Sequence, residues 1–173
     1  MELTKVERQI LYNQCQILSV LCPEDKESLE LKMIALNNGY TSEYEKIVNV
    51  YNDELSENEC KFVYDVLIMY RSLYFSYEKL DDKLDISRND VLFSGFDGNY
   101  ECGYYSFACF LLKDKGLFEE FANVDTNSHA SRVEIYERML EVYNAISNDP
   151  STDYENSLTK ENIISVINAR KRS

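Results

Sequence analysis

The run SENECKFVYDVLIMYRSLYFSYEKLDDK, residues 56–83, most constrains what this chain can fold into. Ser56 with Glu59 three residues on is a capping box, the local signature of a helix start. Neither Gly nor Pro interrupts the run that follows. From Phe62 to Phe75 only Asp65, Arg71 and Ser72 are clearly polar. One apolar stripe runs Cys60, Val63, Tyr64, Leu67, Tyr70 or Arg71, and Tyr74. A second runs Phe62, Val66, Met69, Leu73 and Leu80. A helix that is apolar on two sides has to be buried on two sides. At about 1.5 Å per residue it spans on the order of 40 Å, long enough for other helices to pack around it. Asp65 and Arg71 lie six apart, so they do not share a face, and each needs a partner if buried. A structural ion pair with another helix is the expected answer, and the floor of a pocket is the alternative.

Helical periodicity recurs on both sides of this run. Thr4 with Glu7 is a second capping box, opening a helix over about Thr4–Leu21. Its inward stripe is expected at Val6, Ile10, Cys15 or Gln14, Ile17, Leu18 and Leu21. Pro23 ends that helix and starts the next, about Glu24–Asn37, with Leu29, Met33, Ile34 and Leu36 inward and Asn37-Asn38-Gly39 as its stop. A short third helix, about Ser42–Tyr51, points Tyr44, Ile47, Val48 and Tyr51 inward. Beyond the central helix, residues 84–91 are polar and turn-rich. A loop then leads to Gly98, with a helix over about Asn99–Lys113 closed by Gly116. Residues 117–131 read as irregular, with Asn123, Asp125, Asn127 and Ser128 as breakers. Two more helices follow, about Ser131–Ser147 and one opened by Thr159 with Asn162. Between them DPSTDYENS reads as a surface loop. Ile163, Ile164, Val166 and Ile167 leave a strand as the competing reading of the last segment. No stretch alternates with period two for long. The expectation is therefore all-α: one domain, residues 1–173, a helical bundle of about seven helices around a long central one.

Charge narrows the function classes. The chain has 31 acidic residues against 18 lysines and arginines, a net −13. Such a surface repels phosphate backbones and argues against whole-domain nucleic-acid binding. The basic ending ARKRS reads first as a solvated helix end complementing the dipole, and secondly as a nucleic-acid patch. Residues 38–41 join two helices with helix-turn-helix proportions, but SEYEKIVNV has the wrong charge balance for a DNA reader. The five cysteines are odd in number and none has CxxC spacing. Cys15, Cys60 and Cys109 fall in apolar helical surroundings, the pattern of reduced, buried thiols in a cytoplasmic protein. MELTKVERQ enters a helix directly, so no signal peptide is expected, and the run 102–112 is too short to span a bilayer. Fourteen tyrosines bring rings that are apolar with one polar end, suited to a core edge or a subunit interface.

The sharpest local signal is Ser94-Gly95-Phe96-Asp97-Gly98-Asn99-Tyr100-Glu101. Read structurally, Gly95 allows a turn, Phe96 plugs the core, Asp97 caps the following helix and Glu101 sits favourably in its first turn. Read functionally, it is a small exposed acidic site at a helix start, binding a cation or a partner's basic side chain. It is not a calcium loop: the sixth position is Cys102 rather than Gly and the twelfth is Ala108 rather than Glu. His129 is the lone histidine and pairs with Cys102 or Cys109 only formally, since no nucleophile motif surrounds either. Zinc spacing and phosphate-cradling glycine motifs are absent, so neither a metal nor a cofactor is expected.

Four separated blocks, MELTKVERQILYNQ, GFDGNYECGYYSF, IYERMLEVYNA and LTKENIISVINA, resemble the YfbU-like family of small bacterial proteins in order and spacing across nearly the whole chain. The residues matched in the second block are Gly95, Phe96, Asp97, Glu101 and Tyr104. The chain departs from the pattern in having no Trp ahead of IYERML. The resemblance implies a mostly helical, cytoplasmic, self-associating protein and supplies no mechanism. Three function classes follow. The first is a non-enzymatic interaction or regulatory module, a homodimer with or without a further protein partner. The second is a small-molecule-binding enzyme or hydrolase around Gly95, Phe96, Asp97, Glu101, Tyr104, Arg71 and His129. The third is nucleic-acid binding through the basic tail.

Overall fold

Three side-chain caps start helices where the sequence places them. Thr4 accepts from the Glu7 amide, Ser56 from the Glu59 amide and Thr159 from the Asn162 amide. The structure, a computed structural model, describes residues 1–48, 54–148 and 158–171. Seven α-helices stand among them: α1 (Lys5–Leu21), α2 (Lys26–Asn38), α3 (Tyr44–Ile47), α4 (Glu57–Glu78), α5 (Cys102–Cys109), α6 (Val133–Ser147) and α7 (Lys160–Asn168). The described residues contain no β-strand, only a single parallel bridge between Phe96 and Asn127. The all-α expectation holds, and the last segment is helical despite its β-branched residues. The chain gathers into two compact units, Met1–Glu54 and Leu55–Ser173.

In the first unit α1 and α2 form a hairpin through the 3₁₀ turn Pro23–Asp25, and α2 stops at Gly39, whose φ of +74° is the left-handed conformation that glycine favours. Its core is small: Cys15, Leu29, Leu36 and Tyr44, with Leu11, Tyr12 and Met33 packed against it. The face of α1 expected inward is the wrong one apart from Cys15. Val6, Ile10, Ile17 and Leu21 are 69, 51, 59 and 70% exposed. Both faces of α1 are apolar, and α2 packs on the one carrying Leu11, Tyr12 and Cys15. Ile34 of α2 is likewise exposed rather than inward. The third helix is one turn, Tyr44–Ile47, preceded by a 3₁₀ turn and followed by an extended Val48. Tyr44 is buried as expected, while Tyr51 lies outside the described residues.

The second unit is organised around α4. Val63, Val66, Leu67, Met69, Tyr70 and Leu73 are fully buried along it, which bears out the two-sided burial. The helix ends at Glu78 rather than continuing to Lys83. The Asp82 carboxylate instead takes the Leu84 amide at 2.9 Å and Lys160 of α7 at 2.8 Å, which favours a turn. Asp65 needs no buried partner, since it pairs on the surface with Lys61 one turn back. Around α4 stands an aromatic cluster: Tyr136 of α6 meets Phe96 edge-on at 5.2 Å and Tyr70 at 5.7 Å. α5 starts at Cys102, three residues later than expected, and runs on as a π-helical turn over Phe110–Asp114. The Leu117 amide donating to the Leu111 carbonyl closes it, with Gly116 at φ +63°. All five thiols are free. Only Cys15 is buried; Cys60 and Cys109 are half-buried and Cys102 is exposed, because these positions fall at helix flanks and ends rather than in the core. No helix among the described residues is long and apolar enough to cross a membrane.

Candidate functional site

Residues 95–104 thread between α4 and the loop that precedes α6. Gly95 adopts φ +80°, and a Cβ there would stand 2.3 Å from the Thr126 carbonyl oxygen, so only glycine fits. The chain then docks on residues 126–128: the Phe96 amide donates to the Thr126 carbonyl at 3.1 Å, and the Ser128 amide to the Phe96 carbonyl at 3.0 Å. Phe96 is fully buried, stacked on Tyr104 at 5.6 Å. Above it the Tyr136 hydroxyl donates to the Gly95 carbonyl at 2.7 Å and receives Ser94 at 3.0 Å. Burial pushes the Tyr136 phenol well above its ordinary range.

Both acids of the segment are buried rather than exposed, and both accept backbone amides. Asp97, 3% exposed, accepts at Oδ1 from the amides of Asn99 (2.7 Å) and Tyr100 (3.1 Å). It therefore caps the turn 98–100 and not α5, whose N-cap position is Glu101. Glu101 does not serve the first turn of its own helix either. Its Oε2 accepts from the Asp97 amide at 2.9 Å, and its Oε1 from the amides of Arg132 (2.7 Å) and Val133 (2.9 Å). A carboxylate from one helix start thus caps another, α6, which has no side-chain cap of its own.

The structure brings some of the expected site residues together and separates others. Glu101 and Tyr104 line an open cleft of ≈ 650 Å³ with Tyr100, Val133, Ile135 and Arg138. Burial first, and then the negative charges of Glu59, Glu137 and Glu101, raise the Tyr104 phenol. Arg71 lines a different hollow of ≈ 340 Å³ with Tyr64, Phe118 and Glu120. There it makes the expected structural pair: a two-point contact with the buried Glu120, its second bond 3.1 Å, with the guanidinium 4.2 Å over the Phe118 ring. His129 lines neither space; it is exposed at φ +51°, its amide bonded to Asn127. The Cys109 thiol pairs with the Thr126 hydroxyl at 3.2 Å and Cys102 with the carbonyls of Gly98 and Asn99. No Cys–His couple forms among these bonds.

Sequence reasoning passed over Arg132 and Arg138, and gave Tyr100 no role of its own within the 94–101 segment. Tyr100 is 86% exposed at the rim of the cleft. Arg138 donates to the Ala169 and Arg170 carbonyls at 3.2 and 3.1 Å, capping the end of α7 from α6. Arg132 keeps a buried Nε without a hydrogen-bond partner. Neither arginine had a local signal, and the bonds of Arg138 reach across the fold. The basic ending is partly absorbed as well. Arg170 pairs with Asp90 at 3.1 Å and reaches the Tyr70 hydroxyl, while Arg172 lies outside the described residues.

Comparison with known proteins adds two findings. The YfbU domain family matches residues 1–169. The chain is also 32% identical over 174 residues to the UPF0304 protein MJECS11 of Methanocaldococcus jannaschii, with 96% of this chain and 99% of that one covered.

Proposed function

The chain belongs to the YfbU family, and from that premise we propose that it is a non-enzymatic helical module of the cytoplasm that assembles with itself. We read residues 1–173 as one functional domain, because the family match runs through both compact units. The observation that carries the reading is where apolar surface is left open. Val6, Ile10, Ile17, Leu18, Val20 and Leu21, all in α1, are each at least 44% exposed. Open apolar surface gathered in one element marks an interaction site, whereas scattered single residues do not. The polar groups of the 95–101 segment weigh the other way from chemistry. Asp97 Oδ1 and both Glu101 oxygens accept backbone amides, which sets these acids to holding a turn and a helix start in place.

Sedimentation velocity with native mass spectrometry on the purified protein tests this. The expected result is a dimer with no additional bound mass. A monomer throughout the micromolar range overturns self-association. A stoichiometric metal or small molecule in the native mass replaces it with a ligand-binding reading, of which the cleft at Glu101 and Tyr104 is the first place to search.

A further inference from the structure

The back of α1 carries a stripe that the hairpin does not use. Val6, Ile10, Asn13, Ile17 and Val20 recur at alternating steps of four and three, the spacing of a two-helix seam. This stripe lies opposite Leu11, Tyr12 and Cys15, which face α2. The flanking Leu18 and Leu21 are 44 and 70% exposed, and Val20 is 75% exposed. From Gln9 to Pro23 the chain has no charged residue at all.

Resting on the self-association reading, we propose that this stripe is the contact between two copies of the chain, α1 against α1 in antiparallel, two-fold fashion. Charge selects the occupant. A copy brings the same net −13 to the contact, so two copies can only meet where neither has charge to repel or to strip of water. A basic partner would be drawn to the acids elsewhere and finds none here. Area agrees. Six apolar side chains of on the order of 100 Å² each give on the order of 600 Å² per copy, enough for about 1,200 Å² in the pair. Direction follows from where the charges lie. Lys5, Glu7 and Arg8 crowd the N-terminal end of α1, and its C-terminal half has none. Antiparallel pairing sets each charged end against an uncharged one and opposes the helix dipoles. It places Ile10 across from Ile17 of the second copy and the amides of Asn13 and Gln14 near the two-fold axis. A polar residue in the middle of an apolar seam fixes register, and Asn13 already accepts from Gln9 at 2.8 Å.

The experiment measures dimerisation of full-length Ile10→Glu/Ile17→Glu by sedimentation against the wild type, with Leu31→Glu on α2 as the control. Residues 10, 17 and 31 are all more than half exposed. The double variant is expected to keep its helical circular dichroism while its dissociation constant rises on the order of 100-fold or more, and the control to dimerise normally. A double variant that still dimerises overturns the stripe and leaves self-association standing, whereas a monomeric wild type removes both. Should the double variant unfold, a cysteine-reactive cross-linker on a background with Cys22→Ser, Cys60→Ser, Cys102→Ser and Cys109→Ser decides. Gln14→Cys joining two copies while Val6→Cys does not supports the antiparallel pair. Val6→Cys joining them while Gln14→Cys does not overturns it.

Discussion

Glu101 ties two parts of the second unit together with one side chain. Its two oxygens hold three backbone amides, one from its own loop and two at the start of α6. An amide left buried without an acceptor costs about 1–3 kcal/mol, and bonds to a charged acceptor are the stronger ones. Glu101→Ala is therefore expected to lower unfolding stability by about 3 kcal/mol or more, read as a shift in urea midpoint at unchanged m-value. Glu101→Gln keeps one carbonyl oxygen and loses less. A Glu101→Ala change within about 0.5 kcal/mol of wild type would show that water satisfies those amides equally well. The sequence shows an acid near a helix start and stops there. Its partners at Arg132 and Val133 lie 31 and 32 residues away, and nothing local at either position announces the contact. Asp97 shows the same limit on a smaller scale: its capping character is legible, but which turn it caps depends on where α5 begins.

Among the elements, α4, like α1, has a start written locally. Ser56 accepts from the Glu59 amide, and Glu59 Oε2 accepts from the Ser56 amide at 2.8 Å. Ser56→Ala is expected to lower stability by about 1 kcal/mol. The reciprocal bonds from the Ser56 hydroxyl and then its amide hold the Glu59 carboxyl below its ordinary range. A carboxyl depressed in the folded state stabilises fully above its unfolded value, and the contribution is lost as pH falls through the folded one. The stability gap between wild type and Glu59→Gln is thus expected to be present at neutral pH and to close below the carboxylate range. Urea titrations at both pH values check it, and a gap that does not change with pH would break the link to the cap. Capping boxes are legible because both partners fall within one turn. The faces of α1 were not: with apolar residues on both sides, periodicity names two candidate stripes, and only the partner helix α2 decides between them. Where α4 ends was hidden for a related reason, since Lys160 helps hold the Asp82 turn from 78 residues away.

For the whole molecule, the two units differ in how much core each has. Residues 55–173 bury an extended cluster from Val63 through Val166, rich in Tyr and Phe, whereas the described residues of 1–54 bury little beyond Cys15, Leu29, Ala35, Leu36 and Tyr44. A unit of that size closes too little apolar surface to be more than marginal by itself. Covering the outer stripe of α1 with a second copy would add the burial that the hairpin lacks, so association and folding of this unit become linked. Linkage has a direct signature: stability rises with the logarithm of partner concentration, on the order of 2.7 kcal/mol when the partner stands at a hundred times its dissociation constant. Hydrogen exchange on the full-length protein is the suitable probe, because it resolves helices separately. Amides of α1 and α2 are expected to slow as protein concentration is raised across the dissociation constant, while those of buried α4 hold their rates. Equal protection of α1 at all concentrations, with α1 as slow as α4, would mean that the hairpin is stable without a partner. That result would leave the stripe without the energetic role argued for it.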